Sequence, residues 1–201
     1  MRYGSIGALG GEMRATCSET ASPRIGTPSG LSGSRYSLWL MPKGDVRRRL
    51  AETILDLSGK YSTPAFDPHV TLAGSIVGPV QEVVSKMQDL ARLIPPFTVR
   101  LTTVDGLEEY FRCLFVRAAQ THPLVSANEA ARQIFRLPKR PAFVPHLSLL
   151  YGRLPAKEKE RIIASLGRRF ELEFKATALH LYLIKGEPAA WRRVASQGVG
   201  L

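Results

Sequence analysis

A seven-residue pattern occurs twice in this chain and limits its fold more than anything else in it. Phe66-Asp67-Pro68-His69-Val70-Thr71-Leu72 is matched by Phe143-Val144-Pro145-His146-Leu147-Ser148-Leu149. Both copies read Phe-x-Pro-His-(Val/Leu)-(Thr/Ser)-Leu. Proline, with no N–H to give a ladder, is tolerated at the start of a strand. Alternate side chains of a strand share a face, so His69 projects with Thr71 and His146 with Ser148. Val70, Leu72, Leu147 and Leu149 then turn the other way, into a core. The duplication predicts two related lobes, each contributing one central strand. If the lobes face each other, two imidazoles and two hydroxyls meet in one cleft.

The surrounding pattern alternates between strand and helix periods. Tyr36–Met41, 69–73, 97–104, 110–116, 146–151 and 191–195 read as strands, and 170–185 as two strands or one bent one. Asp105-Gly106 marks a turn. Residues 46–57, 80–93, 125–135 and 156–166 carry apolar residues at helical spacing. The order predicts a mixed α+β fold built on largely antiparallel sheet. Residues 1–34 are rich in Gly, Ser, Thr and Pro without a sustained apolar period, and are expected to be a flexible tail ahead of a domain over 35–201. Arg2, Arg14 and Arg24 leave organelle targeting by this tail open.

Two imidazoles facing one cleft suit cleavage of a phosphodiester. One takes a proton from water while the other gives one to the departing oxygen. The hydroxyls hydrogen-bond the non-bridging phosphate oxygens, where charge accumulates. A single histidine on an apolar strand is more often a packed core residue. Packing alone, however, does not call for a hydroxyl two residues after each of two histidines. His122, ahead of Pro123, reads as a surface or cap residue. His180 has no Ser or Thr two residues on and reads as structural.

The charge fits such a substrate. With 28 Lys and Arg against 17 Asp and Glu, the net charge is +11, in clusters such as Arg47-Arg48-Arg49, Lys139-Arg140, Arg168-Arg169 and Arg192-Arg193. This balance favours anionic partners, although each cluster by itself also reads as a solvated helix face. The two cysteines, Cys17 and Cys113, are not expected to bridge, which points to a reducing compartment. No Cys-x-x-Cys or His/Cys cluster suggests zinc. No run is long and apolar enough to cross a bilayer, and no secretory signal is expected.

At the two motifs the sequence resembles the 2H phosphoesterase superfamily, named for its paired His-x-Thr/Ser. Tyr36-Ser37-Leu38-Trp39, the two seven-residue motifs with Leu150-Tyr151, the Lys-Glu-Lys-Glu run at 157–160 and Trp191-Arg192-Arg193-Val194-Ala195 extend it to about residues 36–196. The flanks are most similar to the plant and yeast type of cyclic phosphodiesterase. That resemblance implies a bilobal fold, with two mainly antiparallel sheets, outer helices and a central cleft. It implies opening of ADP-ribose 1″,2″-cyclic phosphate or nucleoside 2′,3′-cyclic phosphates, the latter to 2′-phosphates, without a metal or other cofactor. His69 and His146 would be catalytic, with Thr71 and Ser148 on the phosphate. Trp39, Phe111 and Tyr151 would pack against ribose or base, or serve as core aromatics. Arg112 departs from the family's pattern, standing beside Phe111 where a neutral side chain is usual, and is expected to add a contact to a second phosphate.

A second reading keeps the chemistry on the 2′,3′-cyclic phosphate end of an RNA, and a third is a non-catalytic binder of phosphorylated RNA ends. The expected partner is a small phosphorylated ribose or an RNA end, with no membrane. A cytoplasmic monomer is expected. The near-symmetry of the motifs leaves open which imidazole is base and which is acid.

Overall fold

Val70 and Leu147, the residues between histidine and hydroxyl in each motif, are partners across two antiparallel strands. Around this pair the whole sheet is arranged. The computed structural model describes residues 34–139 and 141–200. The expectations for the tail and Cys17 lie outside them.

The elements follow the order β1 (Arg35–Leu40), α1 (Gly44–Tyr61), β2 (Val70–Val77), α2 (Val80–Leu93), β3 (Phe97–Asp105), β4 (Leu114–Ala118), α3 (His122–Ile134), β5 (His146–Leu150), α4 (Ala156–Leu166), β6 (Arg169–Ala176), β7 (Ala178–Leu183) and β8 (Arg192–Gly198). Short 3₁₀ turns cover Tyr110–Arg112 and Pro188–Ala190. The strands form one sheet in the order β6-β3-β4-β5-β2-β1-β7-β8, and every recorded pairing is antiparallel.

Here the α+β expectation holds and its division into two sheets is corrected. The halves β2-β1-β7-β8 and β5-β4-β3-β6 are joined through Val70 and Leu147 into a single sheet. Only one residue pair makes the joint, so the halves diverge on either side of it and leave a cleft. Local periodicity cannot reveal a seam between residues so distant in sequence.

The predicted duplication appears in the element order. Strand, helix, motif strand, helix runs from β1 to α2 and again from β4 to α4. The helices form because their apolar residues recur every three or four positions: Leu50, Ile54 and Leu57 in α1; Val83, Met87 and Leu90 in α2; Leu124, Ala127 and Ala131 in α3. Pro79 and Pro155 stand at the N-caps of α2 and α4, and Pro123 lies in the first turn of α3, where a missing N–H costs little. These stripes, with Ile162 and Ile163 of α4, are buried in the same core as Val70, Leu72, Leu147 and Leu149. The motif side chains of opposite parity are left on the other face.

One predicted strand is replaced in part by a turn. Residues 110–116 alternate as a strand would, but the chain coils at Tyr110–Arg112 before β4 begins at Leu114. Backbone bonds from Leu107 N to the Arg112 carbonyl and from Arg112 N to the Glu109 carbonyl close this loop. Gly106 permits it: a Cβ there would lie 2.6 Å from the Cys113 carbonyl oxygen. The 170–185 stretch resolves into two strands, β6 and β7, in opposite halves of the sheet.

Leu147→Ala is expected to lower the unfolding free energy by about 2–5 kcal/mol, because it opens a cavity at the joint. Leu55→Ala, at a side chain 63% exposed, should change it by no more than about 0.5 kcal/mol. Urea denaturation of the two variants makes the comparison.

Candidate active site

Each motif places its histidine by the same local device. His69 Nδ1 lies 2.6 Å from the Asp67 carbonyl oxygen and His146 Nδ1 lies 2.8 Å from that of Val144. A carbonyl can only accept, so each Nδ1 carries a proton and donates it. Nε2 is thereby left without a proton in the neutral ring, at the far side from the strand backbone. The carbonyl used belongs in both copies to the residue before the proline.

The two histidines meet in one cavity of about 240 Å³, whose lining includes His69, Thr71, His146 and Ser148. Antiparallel continuation from Val70 and Leu147 runs His69 toward Ser148 and Thr71 toward His146. The imidazoles are close enough for a charge on His146 to oppose one on His69. Ser148 Oγ donates to the Phe111 carbonyl at 2.9 Å, tying the 3₁₀ turn to β5.

The aromatic residues singled out from the sequence line the same cavity but divide into two kinds. Trp39, 2% exposed, has both ring faces covered. His69 stacks on one at 3.6 Å and Tyr182 on the other at 3.7 Å. Its indole N–H donates to Ser37 Oγ at 2.8 Å. Trp39 therefore orients His69 and offers no free face for a base. Tyr151 is likewise buried and stacks on Phe66 at 3.7 Å. Burial pushes its phenol well above the usual range, which keeps it a proton donor. Phe111 is different, at 52% exposed. It sits 5.9 Å from Trp191, which comes from the other half of the sheet.

Trp191, Tyr182 and Phe66 escaped sequence reasoning as parts of this site. Trp191 reads from the sequence as a strand residue, and none of the three lies beside a motif hydroxyl. A pairing rule would have found one more: Trp39 opposes Thr71 across β1 and β2, as Phe115 opposes Ser148 across β4 and β5. Phe115 meets His146 edge-on at 5.2 Å, so each histidine has an aromatic neighbour from the adjacent strand. His180 takes a structural place, with Nδ1 3.0 Å from Ser196 Oγ.

The two imidazoles differ in charge environment. Burial holds His69 down at about 4, opposed only in part by its bond to the Asp67 carbonyl. His146 is lowered first by burial and further by the Arg112 and Arg117 guanidiniums, while Glu109 acts the other way. Arg112 is gripped by Glu109, with Nη2 2.6 Å from Oε1, and stands beside the cavity rather than in its lining. Among the described residues, no three His, Cys, Asp or Glu side chains group as they would around a metal ion, and no helix is long and apolar enough to cross a membrane.

A model of the 2′-5′ RNA ligase superfamily matches residues 43–188, a span that takes in both motifs. The chain belongs to that superfamily. The two-histidine resemblance seen in the motifs is thus shown. Within it, a cyclic phosphodiesterase of Arabidopsis thaliana is 27% identical over 125 residues, covering 62% of this chain and 69% of the relative. The superfamily fold recurs in TT0787 of Thermus thermophilus, at TM-score 0.59 and 19% identity over 83% of this chain and 98% of that one. E. coli LigT, solved with 3′-AMP, superposes at TM-score 0.58 and 16% identity over 84% and 99%.

The depressed His69 predicts a pH-dependent stability. The unfolded chain takes up this proton near pH 6.5, whereas the native state resists until about pH 4. Native stability is therefore fully present above pH 6.5 and falls as the pH drops toward 4, by about 3 kcal/mol from this group. In His69→Gln that share of the loss should vanish, as judged by urea midpoints at pH 7 and pH 4.5. An identical pH dependence in both proteins would refute the assignment.

Proposed function

We propose that this protein hydrolyses a cyclic phosphate on ribose by two-histidine acid–base catalysis. ADP-ribose 1″,2″-cyclic phosphate and nucleoside 2′,3′-cyclic phosphates are the substrates it suits. The observation that carries the reading is the shared brace: both Nδ1 atoms are tied back to their own strands, so both Nε2 atoms are available to one cavity. The name of the Arabidopsis relative supports the same class of reaction.

In this mechanism the cyclic phosphate lies between the two histidines. One Nε2 removes a proton from water as the water oxygen bonds to phosphorus. A ribose oxygen leaves phosphorus and takes the proton held on the other Nε2. For a nucleoside 2′,3′-cyclic phosphate the bond to O3′ breaks and the 2′-phosphate remains. Thr71 and Ser148 steady the non-bridging oxygens, and Ser148 turns from the Phe111 carbonyl to do so. Tyr151, kept protonated, supplies a neutral donor. Phe111 and Trp191 supply the aromatic surface for a base, since Trp39 is covered on both faces. A proton must reach a site whose surroundings disfavour imidazolium, and the anionic phosphate provides the compensating charge.

Incubation in EDTA with ADP-ribose cyclic phosphate and with a 2′,3′-cyclic nucleotide, followed by phosphorus NMR of the products, tests the reading. Turnover of at least one is expected, and a folded protein that opens neither would refute it. His69→Ala and His146→Ala should each reduce kcat by about 10²–10⁴-fold.

The pH profile should carry the same signature. The reactive form has one imidazole protonated and one neutral, and both are lowered, His69 to about 4. The maximum of kcat/KM is therefore expected below pH 6.5, falling on its alkaline side as the last imidazole proton is lost. The kcat profile, which reports the substrate complex, should lie at higher pH because bound phosphate raises both groups. Profiles that coincide, or a kcat/KM maximum above pH 7, would contradict this charge arrangement.

A further inference from the structure

Among the described residues lining the catalytic cavity, Arg35 is the one lysine, arginine, aspartate or glutamate. Strand alternation sets its direction. Tyr36 and Leu38 lie in the core with the helix stripes, so Arg35, Ser37 and Trp39 project to the cleft face of β1. Trp39 opposes Thr71, which marks the reacting end of this row. Arg35, four residues away, stands about 13 Å further along the strand. Its backbone is too distant for the cyclic phosphate, and the length of its side chain brings the guanidinium back toward the next group on the ribose.

This cation is not spent on the protein. Arg35 enters no ion pair among the described residues. Arg112, the residue expected from the sequence to meet a second phosphate, is in the opposite position. Its Nε and Nη2 donate to the Glu109 carboxylate at 2.6 to 3.0 Å, and it is absent from the lining of this cavity. One arginine is thus held by a carboxylate outside the cavity, and the other is presented to it.

The backbone beside Arg35 gives a second, independent sign. From Tyr36 to Trp39 β1 advances three residues, while β2 takes five, from Ile76 to Thr71. The extra residues bulge β2 opposite Ser37 and bring Ser75 into the lining with Arg35. Ser75 holds a left-handed φ of 58°, a conformation that glycine adopts freely and a residue with a Cβ does not. Strain of this kind persists at sites where the side chain has a use. Here the use is a hydroxyl beside a free guanidinium.

We propose that Arg35, with the Ser75 hydroxyl, forms a subsite for a second phosphate carried on the C5 oxygen of the ribose whose cyclic phosphate is opened. The planar guanidinium offers two parallel N–H donors to a phosphate, and the serine adds a neutral donor. With the cyclic phosphate between the histidines and a base against Phe111 and Trp191, the third arm of the ribose points toward this end of the cavity. ADP-ribose 1″,2″-cyclic phosphate carries a diphosphate on that oxygen, whereas a plain nucleoside 2′,3′-cyclic phosphate carries nothing there. The inference rests on the cyclic phosphodiesterase reading and makes Arg35 the residue that discriminates among its substrates.

The test compares adenosine 2′,3′-cyclic phosphate with the same compound bearing a 5′-phosphate. At low salt the added phosphate should raise kcat/KM by roughly tenfold, mainly through KM, as befits a charge-assisted contact. The preference should shrink several-fold between about 50 and 500 mM salt, because an exposed pair is screened. In Arg35→Gln the ratio of the two specificity constants should fall close to one. A general folding defect would lower both constants together and leave that ratio intact. Arg35→Lys, which keeps the charge and loses the planar fork, should retain part of the preference. Ser75→Gly should lower the ratio by a smaller factor while raising the thermal midpoint, since glycine relieves the left-handed strain. Arg112→Gln should leave the ratio unchanged. Equal specificity constants in the unaltered protein, or a ratio untouched by Arg35→Gln or by Ser75→Gly, would overturn the proposal. So would a preference lost in Arg112→Gln and kept in Arg35→Gln. If neither compound is opened, the phosphodiesterase reading fails. The subsite is then judged by calorimetry with adenosine 2′,5′-bisphosphate and adenosine 2′-phosphate. The bisphosphate must bind more tightly, and lose that advantage in Arg35→Gln, for the assignment to stand.

Discussion

Everything in the cleft depends on the pairing of Val70 with Leu147. Strand alternation sends these two side chains into the core under the helices, and so sends their neighbours to the opposite face. The same contact that joins the two halves of the sheet also sets the distance between the histidines. Because only one residue pair makes it, the halves separate immediately beyond, and the groups flanking the joint are left facing open space. A longer ladder would have continued the sheet across the site. A missing one would have left two half-sites without a fixed separation.

Symmetry in the braces coexists with asymmetry in the surroundings. Both imidazoles give their Nδ1 proton to the carbonyl of the residue before the proline, so both show the same nitrogen to a substrate. Around that common frame His69 is walled by the Trp39 ring, which is itself backed by Tyr182. His146 meets a ring edge instead and lies within the field of two arginines and a glutamate. A duplicated motif thus supplies two copies of one geometry, and the unduplicated residues around them make the copies chemically unlike.

What the sequence disclosed follows the range of the forces involved. The motif strands, the faces of their residues and the four helices were legible because each is fixed by neighbours a few positions away; α2 and α4 fall on the expected residues. The four motif side chains could be brought together on paper because the repeat itself implied a shared cleft. The single sheet was not legible, since its seam depends on one pair far apart in sequence. Tyr110–Arg112 misled because its alternation is that of a strand, while Gly106 and the backbone bonds of the loop decide otherwise. Trp39 lines the cleft, and that both its faces are covered depends on Tyr182, which comes from β7.

The strand order has one more consequence. After α2 the chain crosses to build β3 in the far half, and after β6 it returns to lay β7 and β8 beside β1. The far half, β3 to β6, is one continuous stretch of chain, whereas the near half is assembled from β1 and β2 with β7 and β8. A lone copy of the repeating unit would have one imidazole and a central strand bare along one side. Only two such chains, set side by side about a twofold axis, would assemble a complete centre. Carrying both copies in one chain removes the need for that encounter and lets each histidine keep surroundings of its own.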